Sequence, residues 1–135
     1  MEVISKSLGS VEGFGRKESE SCVGLEIVNQ CLIIKINKEL DHHSADLIRM
    51  KTDKMFDRGN FKNVIFDFGN VDFMDSSGIG VIMGRYKKVL YLGGHVAVTN
   101  VGKNINRVLK FSGLYNIVSL HQSNTEALEY FSGKK

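Results

Sequence analysis

Asn63-Val64-Ile65-Phe66-Asp67-Phe68 and, shortly after it, Asp75-Ser76-Ser77-Gly78-Ile79-Gly80 are the stretches on which the fold turns. The first is a near-continuous apolar run, as required of a strand buried on both faces of a sheet. The second opens a helix. Asp75 can cap it, and Ile79, Ile82, Met83, Tyr86, Val89 and Leu90 recur at helical spacing until Gly93-Gly94 stop it. A buried strand leading through a short loop into an amphipathic helix is the repeating unit of an α/β layer.

Working outward, Leu25 to Val28 and Cys31 to Ile36 are β-rich runs separated by Asn29-Gln30, the pattern of a tight hairpin. A loop from Asn37 to His43 follows. Ser44 can then cap a helix to about Arg58, with Ala45, Ile48, Thr52, Met55 and Phe56 on one face and Gly59 ending it. Beyond the central unit, His95 to Thr99 reads as a strand and Asn104 to Ser112 as a short helix carrying Ile105, Val108 and Leu109, ended by Gly113. Ile117 to Leu120 is a further strand. Ser123 and Glu126 match a capping box for a last helix holding Ala127, Leu128 and Phe131. The order β-β-α-β-α-β-α-β-α predicts one α/β domain over residues 22–135, with a mixed, largely parallel β-sheet, an N-terminal hairpin at its edge and about four helices. Residues 1–21 are rich in Ser, Gly and alternating charge and read as a flexible extension.

Composition narrows the function classes. With 42% hydrophobic and 24% charged residues the chain has ordinary globular character. No stretch approaches the roughly 18 apolar residues of a membrane span, and the N-terminus lacks the apolar core of a signal peptide. A cytoplasmic protein with no membrane partner is expected. Cys22 and Cys31 have neither a C-x-x-C pattern nor zinc spacing, and read as reduced thiols. Residues 1–75 carry 10 basic and 13 acidic side chains, whereas residues 76–135 carry 8 basic and 2 acidic. The positives are scattered, however, and Arg85, Lys87 and Lys88 fall in the second half of a helix, where cations suit the macrodipole. Without a basic stripe or a recognisable reading motif, direct nucleic-acid binding is not expected.

The chemistry concentrates at the start of the central helix. Ser76 and Ser77 lie where backbone N–H groups lack intrahelical partners, a setting that favours anions. Asp75 already supplies a cap, so two adjacent serines exceed what capping needs. Gly78 and Gly80 cost on the order of 1 kcal/mol each against alanine, yet they remove side chains from the first turn and let a protein or a phosphate approach the backbone. A phosphate on Ser76 would add about −1.5 to −2 charges close to Asp72 and Asp75. Bulk and like charge would then oppose a partner docked on this surface, while the fold stays intact.

The run Phe73-Met74-Asp75-Ser76-Ser77-Gly78-Ile79-Gly80-Val81-Ile82-Met83-Gly84-Arg85-Tyr86-Lys87 resembles the phosphorylation segment of the STAS-domain anti-sigma factor antagonists, most closely their sporulation branch. Glu39-Leu40-Asp41-His42-His43-Ser44-Ala45 is similar to the loop and helix start beside it in that family, and Phe111-Ser112-Gly113-Leu114-Tyr115 to the turn after its third helix. The blocks keep the family's order and spacing, and the likeness runs from about Gly24 to Phe131. Two departures stand out: the N-terminal extension is longer than the family's pattern, and Ser44 stands where the family often has threonine.

The resemblance implies that Ser76 is the phosphoacceptor and that Asp41 lies at the partner-binding surface near it. The expected partner-binding set is Asp41, His42, His43, Asp75, Ser76, Ser77, Gly78, Ile79 and Gly80. It further implies that the unphosphorylated protein binds an anti-sigma factor that is also a serine kinase, so freeing a sigma factor, the early forespore factor in the sporulation branch. Phosphorylation at Ser76 ends the binding and a separate serine phosphatase resets it. The chain is then a substrate and not an enzyme. It carries no cofactor, since ATP and ADP belong to the kinase. An alternative within the fold is a STAS scaffold or sensor module of a stress-signalling assembly.

Other chemistries fit less well. Gly78, Gly80 and Gly84 miss the dinucleotide fingerprint by one residue. A hydrolase using Ser76 with His42 or His43 lacks the G-x-S-x-G elbow, and Asp75 would crowd the oxyanion. His42 and His43, adjacent in an extended loop, would point apart and make a poor metal site. His95 and His121 sit alone at strand edges.

Overall fold

Asn29 and Gln30 both adopt positive φ, 51° and 64°. That pair of left-handed residues gives a two-residue turn the twist its flanking strands need. Strand β1 (Val23–Val28) therefore folds back on β2 (Cys31–Ile36), with Val28 opposite Cys31 and Val23 opposite Ile36. In the computed structural model, which describes residues 22–133, β3 (Asn63–Asp67), β4 (Val96–Thr99) and β5 (Ser119–His121) each join parallel to the strand before. The sheet order is β1-β2-β3-β4-β5. The flexible extension expected over residues 1–21 falls outside the described residues, as do the final two lysines of the expected domain.

Helices α1 (His42–Arg58), α2 (Ser76–Tyr91) and α3 (Lys103–Phe111) link the parallel strands. All three cover one face, where Ala45, Ile48, Val81, Ile82, Val89, Ile105 and Leu109 share a core with Leu32, Ile34, Val64, Phe66 and Val98. The last helix, α4 (Asn124–Ser132), covers the other face and seats Ala127 and Phe131 against Cys31, Ile33, Ile65 and Ala97. All five residues of β3 are buried, as its apolar run requires. Cys22 and Cys31 are both buried, and no disulfide joins them. Burial pushes the Cys31 thiol up to about 12, which keeps it protonated and unreactive at neutral pH.

Several boundaries differ from the sequence reading. The first long helix starts at His42, not at Ser44, because Asp41 takes the cap: its Oδ1 accepts from the Ser44 N–H at 3.0 Å. Ser44 completes a capping box, its Oγ accepting from the Asp41 N–H (3.0 Å) and donating to the Glu39 carbonyl (2.7 Å). The fifth strand begins at Ser119 and not at Ile117, since Leu114–Asn116 form a 3₁₀ turn first. Ser123 caps α4 as expected, but the Glu126 carboxylate accepts from the Gln122 N–H at 3.0 Å instead of the cap's own. Leu90, read as part of the buried stripe, is 57% exposed.

A candidate partner-binding site at two adjoining helix starts

Leu40 and Met74 form an isolated parallel bridge beyond the ends of β2 and β3. The Leu40 N–H donates to the Phe73 carbonyl at 3.0 Å, and the Asp75 N–H to the Leu40 carbonyl at 3.3 Å. One residue past the bridge on each strand stands a helix cap, Asp41 for α1 and Asp75 for α2. The Asp75 Oδ1 accepts from the Ser77 N–H at 2.8 Å. Two helix starts are thus fixed side by side, and all nine expected partner-binding residues fall on them.

Their environments differ. Ser76 is the first residue of α2 and exposed, and among the described residues nothing hydrogen-bonds its hydroxyl. Ser77 and Ile79 are half-buried and Gly80 is exposed. Phe73, at 51% exposure, adds an apolar element next to the exposed Asp72. Gly78 corrects the sequence reading: it is buried, and a Cβ there would come within 2.5 Å of Met74 Cγ and 2.8 Å of Leu40 Cγ. It lets the bridge residues pack beneath the first turn and does not open the surface to a partner. His42 and His43 lie in the first turn of α1 and not in an extended loop, both exposed. His42 Nε2 is 3.4 Å from Asp46 Oδ2, and Asp46 Oδ1 accepts from Arg49 Nη1 at 2.8 Å.

Arg85 escaped the sequence reading, which credited it to the macrodipole. It is 5% exposed, donates from Nη1 to Thr52 Oγ1 (2.8 Å) and Asp53 Oδ1 (2.9 Å), and lies over the Phe56 ring at 5.7 Å. These partners all belong to α1, so the side chain locks α2 against it and holds the two starts in register. The signal was its spacing: Val81, Ile82, Arg85 and Val89 form one buried stripe.

The Ser44 N–H holds the Asp41 carboxyl below the usual aspartate range; desolvation opposes it, and the Ser44 hydroxyl and neighbouring backbone N–H groups add to the lowering. A depressed native value stabilises the fold above the unfolded aspartate value of about 3.9, and this contribution is lost as pH falls through the lowered native one. Asparagine caps as well but carries no charge. The stability gap between wild type and Asp41→Asn should therefore open as pH rises to about 5 and then stay flat. Urea melts between pH 2 and 6 measure it, and a constant gap across that range would refute the assignment.

Comparison with known proteins places this geometry. Residues 23–127 match the STAS domain family. An anti-sigma F factor antagonist of Paenibacillus polymyxa is 40% identical over 97 residues, covering 72% of this chain and 83% of that protein. The anti-sigma factor antagonist SpoIIAA in its unphosphorylated form superposes with a TM-score of 0.69 at 26% identity, covering 83% of this chain and 99% of that one. The phosphorylated form of the Bacillus cell fate determinant SpoIIAA gives 0.66 at 30% identity, covering 80% and 97%. Among the described residues no helix is long and apolar enough to cross a membrane. This chain belongs to the STAS-domain family, in the branch of the anti-sigma factor antagonists.

Proposed function

We propose that this chain is a cytoplasmic anti-sigma factor antagonist whose unphosphorylated form binds an anti-sigma factor with serine kinase activity and so releases a sigma factor of sporulation. Phosphorylation of Ser76 turns the binding off, and a serine phosphatase restores it. The observation that carries the reading is the exposed Ser76 hydroxyl at a helix start, without a hydrogen-bond partner among the described residues and flanked by the capping carboxylates Asp41 and Asp75. Asp41, His42, His43, Asp75, Ser77, Ile79 and Gly80 form the docking surface around it, with Gly78 supporting it from beneath.

The chain is the substrate of the transfer and the ATP is the kinase's. The Ser76 Oγ attacks the γ-phosphorus, ADP leaves, and the hydroxyl proton passes to a base on the kinase. Asp75 is ill suited to that task because its carboxylate already accepts the Ser77 N–H. Incubation with the anti-sigma kinase and ATP, followed by mass-spectrometric site mapping, tests the proposal. A single phosphate at Ser76, absent in Ser76→Ala, is the expected result. No modification, together with no binding by the unmodified protein, would overturn it in favour of a scaffold or sensor module.

A further inference from the structure

We propose that Arg49 receives the phosphate placed on Ser76, exchanging its present partner Asp46 for it. The inference rests on the phosphorylation proposed above and assigns the contact that follows it. A Cβ built on Gly80 would lie 3.7 Å from Arg49 Nη2, so the guanidinium rests over this glycine. Ser76 and Gly80 are one turn apart on the same face of α2, where side chains are about 5–6 Å from one another. The Arg49–Gly80 and Asp53–Arg85 contacts ascend together, so α1 and α2 run alongside in the same direction. Side chains on a helix lean toward its N-terminus, which for Arg49 is the direction of Ser76. A phosphoserine projects an ester oxygen, a phosphorus and three terminal oxygens beyond its Cβ. A change of rotamer brings the two groups together, and any side chain larger than that of Gly80 would stand between them.

Charge favours the exchange. Arg49 is held to Asp46 by a pair 39% and 56% exposed, three residues apart on one helix, and such pairs are weak. A phosphate carries nearly twice the charge of a carboxylate and offers three acceptors to the planar guanidinium. Asp41, Asp72 and Asp75 around the serine raise the need for a cation. Once Arg49 leaves, Asp46 keeps His42 as its neighbour, so phosphorylation also alters the α1 side of the docking surface.

The test uses phosphoserine encoded genetically at position 76, which requires no kinase, and follows its second ionisation by ³¹P NMR at 0.1 M salt. A neighbouring cation favours the dianion, so Arg49→Gln should raise that pKa by about 0.5 unit, while Arg49→Lys keeps part of the effect. Lys54→Gln, which removes an exposed charge further along α1, should leave it unchanged. Equal values in wild type and Arg49→Gln, with both folded by circular dichroism, would overturn the proposal. A shift of the expected size with no kinase able to modify Ser76 would keep this contact and remove the proposed function; kinase modification without the shift would do the reverse.

Discussion

A phosphate on Ser76 is expected to weaken capture of the anti-sigma factor at least a hundredfold, a loss of about 2.7 kcal/mol. The positive end of the α2 dipole softens the new charge, so the phosphoprotein should melt where the unmodified protein does. Docking is a different matter. A partner covering Ser76 must desolvate the phosphate together with Asp72, Asp75 and Asp41, and desolvated like charges cost several kcal/mol. Ser76→Ala should bind as the wild type does, because among the described residues nothing bonds to the hydroxyl and an exposed substitution of this kind changes stability by no more than about 0.5 kcal/mol. Titration calorimetry of the three proteins against the anti-sigma factor decides the point. Equal affinity of the phosphorylated and unmodified forms would refute the switch.

Gly94→Ala carries the largest expected effect on stability. A Cβ at Gly94 would lie 1.7 Å from the Lys62 carbonyl oxygen and 2.6 Å from its carbon. That backbone cannot retreat: the Lys62 N–H donates to the Gln30 carbonyl at 3.0 Å, and Asn63 is paired with Cys31 and accepts from the His95 N–H at 2.8 Å. Either the end of α2 or the start of β3 must shift, at a cost of about 3 kcal/mol and a fall in Tm of roughly 10 °C. Two glycines serve as controls. At Gly93, φ is +80° with open space around it, so alanine there costs only the left-handed conformation, about 1 kcal/mol. At Gly84, within α2 and equally open, alanine should stabilise by about 0.5 kcal/mol. Thermal melts that rank Gly84→Ala above wild type, Gly93→Ala below it and Gly94→Ala lowest are expected; a Gly94→Ala protein as stable as Gly93→Ala would refute the steric account.

Local chemistry explains which parts of this architecture were legible in the sequence. Asn29-Gln30 announced the hairpin, the apolar run through Phe66 announced the central strand, and Asp75 was recognisable as a cap because a helical stripe begins directly after it. Asp41 and Ser44 are both competent caps, and the choice between them is made by the Leu40–Met74 bridge, which no local pattern encodes. Gly78 was misread for the same reason. Its neighbours Leu40 and Met74 lie on two different loops, and only their pairing leaves no room for a methyl group. Arg85 looked like a surface cation until α1 supplied Thr52, Asp53 and Phe56 around it. The residues of the site could be named from the chain, while their division into exposed contacts and buried supports required the fold.

The strand order that equals the chain order also bears on how the protein is made. Each parallel strand is added to the open edge left by the one before, so the sheet can assemble from the N-terminus during synthesis without waiting for a distant segment. One element breaks this progression. The second face of the sheet is covered by α4, the last helix to emerge, and until then Cys31, Ile33, Ile65 and Ala97 have no cover from it. A chain stalled on the ribosome before Asn124 would present a finished front and a bare back, the kind of apolar surface on which chaperones and proteases act.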